Sequence, residues 1–216
     1  MFAYPPQTEV NRVLPKTKIY AHGKASRSLQ NRIAKEVEKI IWRHKLAPET
    51  LNLGTSGPLR EIQVFEVRLK EDEVHEDVLK AIDRTIRHPI AFQIKTDDRV
   101  RYAMAHKRPS EADASKWVTE EYFWTDWKKS TPSLQPLPAI TTLMALYETM
   151  LSQHLPVPPR EGESLTQCVE RMHLVKRKER EAAKLESKIA KEKQFNRKVD
   201  LNKALREITR EVESLT

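Results

Sequence analysis

Residues 90–127 read IAFQIKTDDRVRYAMAHKRPSEADASKWVTEEYFWTDW, and the alternation at their start decides the fold. Ile90, Phe92 and Ile94 alternate with Ala91, Gln93 and Lys95, the period of two that sends successive side chains to opposite faces of a strand. Thr96-Asp97-Asp98 supplies a turn, because Asp bonds its own backbone and tolerates a left-handed φ. Val100, Tyr102 and Met104 then alternate with Arg99, Arg101, Ala103 and Ala105, so the short turn closes a hairpin. After His106-Lys107-Arg108-Pro109 and a polar loop, Trp117, Tyr122, Phe123, Trp124 and Trp127 fall within eleven positions and mark a third strand. Lys107, Arg108, Lys116, Lys128 and Lys129 flank these aromatics. The stretch supports two readings. In one, the aromatics are core beneath a half-buried sheet edge. In the other, Trp124 and Trp127 lie at the surface as a base-stacking platform with cationic neighbours, as in single-strand binders.

Upstream, residues 62–69 carry apolar residues on both faces at their start, the pattern of a central strand. Residues 76–87 place Val78, Leu79, Ile82 and Ile86 at helical spacing, and His88-Pro89 ends them. Ser26 or Ser28 caps a helix expected to run to about His44, through Leu29, Ile33, Val37, Ile40, Ile41 and Trp42. Residues 1–20 read as irregular, with Pro5, Pro6 and Pro15 opposing a continuous helix. Residues 128–138 form a Pro-rich linker before an apolar helix over 139–153. The expectation is an α/β (α+β) body over residues 1–160, ordered α-β-α-β-β-β. Its mixed sheet has about four strands with packing helices, and a strand-helix-strand step compatible with a parallel crossover.

Residues 161–216 read as a long basic helical tail. Ser164 to Leu215 contain neither Gly nor Pro. Leu201, Leu205, Ile208, Val212 and Leu215 recur at four-three spacing, a heptad seam. A break is expected near residues 194–196. A helix this polar needs a partner: it folds back antiparallel, packs on the body, or self-associates through residues 201–215 in a coiled coil. The formal net charge is +8, and residues 171–203 hold twelve cations against five acids. A basic balance confined to one segment points to a polyanion or an acidic partner. Lys184, Lys188, Lys191, Lys193, Arg197 and Lys198 are the candidate contacts; the same charges also suit a plain solvated face.

The 216 residues contain one cysteine, Cys168, which excludes a disulfide framework and suits a reducing cytoplasm. MFAYPPQTEV has neither the basic start nor the apolar run of a signal peptide. No stretch approaches the ~20 apolar residues of a membrane helix. Four glycines leave no phosphate-cradling loop, and Cys168 has no evident base. The seven histidines lack metal-ligand spacing. No cofactor and no metal are expected. One pattern weighs the other way: Glu66 on one strand, with Gln93-x-Lys95 on the next, echoes the acid and Glu/Gln-x-Lys set of PD-(D/E)xK metal nucleases. The amide at residue 93 weakens that echo, so whether the chain is an enzyme stays open.

VNRVLPKTKIYAH at 10–22, KLAPETLNL at 45–53, KRPSEADASKW at 107–117, TDW at 125–127 and KEKQFNRKVDLN at 191–202 together resemble the bacterial domain-of-unknown-function family four-three-nine-one. The resemblance runs over essentially the whole chain. It implies a setting beside helicases and DNA methyltransferases in restriction-like or phage-defence loci, and it assigns no catalytic residues. The function expected from all this is a non-enzymatic accessory subunit of a DNA-processing defence complex. It would dock a helicase or methyltransferase, with the basic tail touching nucleic acid or the partner. The alternatives are the metal-dependent nuclease and a coiled-coil scaffold that binds no nucleic acid.

Overall fold

The computed structural model describes residues 2–54, 57–110, 112, 117–130 and 134–216. The chain forms two compact units, Met1–Pro156 and Val157–Thr216. In the first, β1 (Phe2–Ala3) leads to β2 (Glu9–Val13), α1 (Lys16–His22) and α2 (Arg27–Glu36). Then come β3 (Val37–Leu46), a one-turn α3 (Pro48–Leu51), β4 (Ile62–Leu69), α4 (Glu76–Arg84) and β5 (Ile90–Lys95). The long β6 (Arg99–Pro109), β7 (Trp117–Trp124), β8 (Lys128–Lys129), β9 (Gln135–Pro136) and α5 (Leu143–Ser152) complete it.

The main sheet has seven strands, not about four. Its order is β2-β3-β4-β5-β6-β7, with β8 on β6. Among the described residues only β4 and β5 run parallel in this sheet, with α4 in the connection between them. All the other pairs are antiparallel. The extra strands come from three segments. The expected helix to His44 ends at Glu36, and Val37 to Leu46 is a strand. Its Val37, Ile40, Ile41 and Trp42 fit a 3.6-residue period on paper. Their β-branched and aromatic side chains favour a pleated surface, and two neighbouring strands supply the pairing. The segment expected to be irregular, 1–20, contains β1, β2 and most of α1, since Pro5 and Pro15 precede helical turns and Pro6 opens a short 3-10 turn, Pro6–Thr8, where the missing N–H costs nothing. The linker contributes β8 and β9 as two-residue pairings.

One face of the sheet carries the core: Ile40, Phe65, Val67, Phe92, Ile94 and Ala103 pack with Ile19 of α1, Ile33 of α2 and Val78, Leu79 and Ile82 of α4. Fully burying such a side chain contributes about 1.5–3 kcal/mol. The register sets a different row on the other face, where Ile41, Glu66, Gln93 and Tyr102 lie side by side across β3, β4, β5 and β6.

A buried polar knot ties α4 to β6, β7 and α5. Lys107 Nζ donates to Asp83 Oδ1 at 2.8 Å, to the Ile86 carbonyl at 2.7 Å and to the His88 carbonyl at 3.2 Å. The Tyr122 hydroxyl donates to Asp83 Oδ2 at 2.6 Å, and the Lys107 N–H donates to the Tyr147 hydroxyl at 2.7 Å.

The second unit is a helical hairpin of α6 (Leu165–Lys191) and α7 (Phe195–Leu215). Ser164 and Gln167 form a reciprocal capping box at the start of α6. The chain turns at Glu192–Gln194, where Glu192 Oε1 accepts from the N–H groups of Lys193 and Gln194, both at 2.8 Å. Early α6 meets late α7: Arg171 Nη1 donates to the Leu215 carbonyl at 2.8 Å, and Lys178 Nζ meets Glu211 at 2.5 Å. The helices are therefore antiparallel. Arg171 also grips Glu163 through Nε and Nη2, at 2.7 and 2.8 Å. The seam residue Ile208 is buried, while Leu201, Leu205, Val212 and Leu215 are half-buried.

Candidate functional site

Glu66 is wholly buried, yet three cations reach it. Arg43 donates to Oε2 through Nε at 2.9 Å and Nη2 at 2.7 Å, and Lys95 Nζ donates to the same oxygen at 3.0 Å. Arg68 Nε donates to Oε1 at 2.6 Å. Burial pushes this carboxyl up, but the hydrogen bonds from Arg68, Lys95 and Arg43 outweigh it and hold the pKa at about 2. Arg43 is fixed further by Nη1, which donates to Asn11 Oδ1 at 3.1 Å. Asn11 sits in a β2 bulge with φ +48°, a left-handed conformation that Asn tolerates, and its amide donates to Glu9 Oε2 at 3.0 Å.

Glu66, Arg43, Lys95, Asn11 and Glu9, but not Arg68, line a cavity of about 500 Å³ in the first unit, together with Tyr4, His44, Gln93, Tyr102, Ser130 and Leu134. Its walls are polar near Glu66 and aromatic near Tyr4 and Tyr102. The Tyr4 and His44 rings lie 4.8 Å apart. His44 Nδ1 and Thr8 Oγ1 are 3.0 Å apart, and burial lowers the His44 pKa, keeping the ring neutral. Burial also pushes the Tyr102 hydroxyl up to about 12.

Glu66, Gln93 and Lys95 therefore converge: Gln93 is the cross-strand neighbour of Glu66, and Lys95 bonds it directly. Their setting is wrong for a divalent ion. Mg²⁺ binds through carboxylates and keeps several waters. Here one carboxylate is shared among three cations, and residue 93 is an amide. Among the described residues, no group of three His, Cys, Asp or Glu side chains could hold a metal ion. Arg43 and Arg68 change the meaning of the pattern, and the spacing pointed to neither. Arg43 fell within a stretch that reads as helix.

The other expected contacts divide. Lys107 is enclosed by Asp83 and backbone carbonyls, so it offers no charge to a ligand. Its alternating position on β6 faces the core. Arg108 is half-buried and donates to Glu120 at 2.8 Å, a carboxylate that also meets His106. Lys116 lies outside the described residues. Trp124 and Trp127 are half-buried and hold Arg101 between them, its guanidinium 4.2 Å from the Trp124 ring and 5.4 Å from the Trp127 ring. Arg99 also lies 5.1 Å from the Trp127 ring. The indoles are thus engaged by the protein's own cations.

In the second unit, Lys184, Lys188, Lys191, Lys193, Arg197 and Lys198 are all exposed at the end of the hairpin that carries the turn. From Lys184 to Lys203 there are seven cations against three acids. The five lysines form no ion pair among the described residues; the Glu192 pKa is lowered chiefly by the backbone N–H of Gln194, then by that of Lys193, with a smaller contribution from the Arg197 charge. Lys188, Lys191, Arg197 and Asp200 line an open groove of about 450 Å³. Beside it Phe195 is 78 % exposed, an aromatic ring set among cations. Cys168 is buried, and burial pushes its thiol up, away from the reactive thiolate. Among the described residues no helix is long and apolar enough to cross a membrane.

A sequence model of the family described as "Domain of unknown function (DUF4391)" matches residues 2–212, nearly the whole chain. The protein belongs to that family. No curated protein and no solved structure matches it.

Proposed function

We propose that this member of the DUF4391 family is a non-enzymatic, nucleic-acid-binding accessory subunit of a bacterial DNA-processing complex. It works in the cytoplasm, in a restriction-like or antiphage system, and docks a helicase or DNA methyltransferase. The observation that carries the nucleic-acid half is the hairpin end, where cations outnumber acids seven to three and the lysines are uncommitted. Cations free of internal partners are available to replace the counterions of a phosphate backbone. The resemblance-based setting beside helicases and methyltransferases supports the docking half. The test is a full chain carrying K184E, K188E, K191E and K193E together. DNA affinity should fall steeply, and the slope of log K against log salt should flatten by about 0.9 for each duplex phosphate that the variant no longer neutralises. Unchanged affinity, with helicity intact by circular dichroism, would remove the nucleic-acid half.

A second reading, the PD-(D/E)xK-type nuclease, is favoured by the convergence of Glu66, Gln93 and Lys95 and opposed by their charge balance. Mg²⁺-dependent cleavage by the wild type, abolished in Lys95→Ala, would restore it. The scaffold reading is weaker, because the seam of residues 201–215 has an intramolecular partner in α6. Light scattering on the full chain tests it, with a monomer expected.

A further inference from the structure

The cavity beside Glu66 holds polar groups that the reading of the hairpin leaves unused. Gln93 is 7 % exposed and lines the cavity, yet its side-chain amide makes no hydrogen bond among the described residues. Tyr102, its neighbour on β6, is 8 % exposed, and its hydroxyl likewise makes none. The polar atoms of both residues open on the cavity and bond no other protein group among the described residues, so they are free to meet a ligand there. Next to them Lys95 Nζ spends one bond on Glu66 and retains further N–H groups. Arg43 is held rigidly by Glu66 and Asn11. In the lining Arg43 and Lys95 face Glu66 and Glu9, and Arg68, bonded to Glu66 from outside the lining, adds a third cation, so the polar end of the cavity suits an anion.

The geometry points to a nucleoside monophosphate as the ligand, an adenine nucleotide in particular. Its phosphate would lie on Lys95 and Arg43, and its base edge on Gln93. A Gln amide presents a donor and an acceptor side by side, which match the N6 amino group and N7 of adenine. Gln93 and Lys95 share a face of β5 two residues apart, about 7 Å along the strand. That separation leaves room for a ribose. Tyr4 and Tyr102 supply aromatic surface for the ring, and a cavity of about 500 Å³ falls within the range of small-ligand sites. The same chemistry exists in a free nucleotide and at the 5′-phosphorylated end of a strand.

The test is calorimetric titration of the full chain with AMP, GMP, adenosine and inorganic phosphate. A short oligo-dA with a 5′-phosphate, and the same strand with a 5′-hydroxyl, complete the set. AMP should bind tighter than GMP, adenosine or phosphate. Gln93→Leu and Lys95→Gln should each weaken AMP by about tenfold or more. Gln93→Leu should keep the wild-type melting temperature, because it removes an unpaired amide; Lys95→Gln should lower it, because Glu66 loses one of its three cations, and its AMP affinity is read on protein shown to be folded by circular dichroism. Binding of the 5′-phosphorylated strand without AMP binding assigns the site to strand ends and supports the inference. Failure of both AMP and the phosphorylated strand to bind the folded wild type overturns it. So does AMP affinity indifferent to both substitutions, or phosphate binding as tightly as AMP. The fourfold hairpin variant should retain AMP binding, so this inference and the reading of the hairpin fail separately.

Discussion

Glu66→Gln is the substitution that interrogates the cation cluster. In the folded chain the carboxyl is held at about 2, against an ordinary value of 4.5. A folded pKa below the unfolded one means that folding favours the charged form. The stabilisation is therefore complete above about pH 5 and is lost as the pH falls from 4.5 toward 2. At 1.36 kcal/mol per unit, the difference amounts to about 3 kcal/mol at neutral pH. That agrees in size with the 3–5 kcal/mol found on breaking buried ion pairs; the partial exposure of Arg43, Arg68 and Lys95 places it at the lower end.

All four tryptophans lie in the first unit, so urea unfolding followed by tryptophan fluorescence reports on the unit that contains Glu66. The gap between wild type and variant should be about 3 kcal/mol at pH 7 and narrow to about 1.4 kcal/mol near pH 3, by linkage between the two pKa values. Glu163, held at about 2 by Arg171 and the backbone N–H of Arg160, titrates over the same range. It is common to both proteins and cancels in the comparison. A gap that stays constant from pH 7 to pH 3, or one below about 1 kcal/mol at pH 7, refutes the view that the charged carboxylate organises this cluster.

Three further outcomes are expected. Lys107→Met should cost about 3–5 kcal/mol in urea unfolding, because Asp83 is left buried without its cation; a cost below about 1 kcal/mol would contradict that arrangement. Trp124→Leu should destabilise by about 1–2 kcal/mol, because the Arg101 guanidinium is deprived of an aromatic face, and should leave DNA affinity unchanged in a filter-binding assay. Phe195→Ser should leave stability within about 0.5 kcal/mol by the same unfolding assay, since the ring is exposed. It should weaken single-stranded DNA binding measured by fluorescence anisotropy, by the ~1–3 kcal/mol of one stacked base.

The strands β4 and β5, the hairpin onto β6, and α4 were legible because each carries a clean period bounded by Pro, Asp or Gly. β3 was not. Leu29, Ile33, Val37 and Ile40 continue one helical stripe, and the stripe breaks only because β2 and β4 pair with residues 37–46. Period alone does not separate these cases when a strand directly follows a helix. β2 reads EVNRV and is mostly exposed, so it has no hydrophobic signature at all. The helical hairpin was legible as one of three options, because the four-three seam demanded a partner without naming it. At the site, Glu66, Gln93 and Lys95 were visible as a spacing. Their meaning was hidden, since it depends on Arg43, 23 positions from Glu66 in sequence, and on Arg68, two positions away. The pairing of Arg101 with Trp124 was hidden for the same reason: β-strand neighbours are set by register, which is decided by the whole sheet.

One acid beside a Gln-x-Lys pair is compatible with opposite chemistries, and the local count of charge separates them. Where a second carboxylate replaces the amide, the pair carries excess negative charge, a divalent ion neutralises it, and the lysine serves an attacking water. With Gln93 in that place and two arginines added, the excess is positive and the acid becomes the anchor that aligns the cations. Glu66 cannot serve both ends, because every proton donor bonded to it is one that a bound metal would have to displace. The direction of its pKa belongs to the same argument. A metal ligand and a cation anchor are both ionised at neutral pH, but only the anchor owes its ionisation to side chains of the chain itself. That is why acid titration of Glu66 without any added ion discriminates between the two.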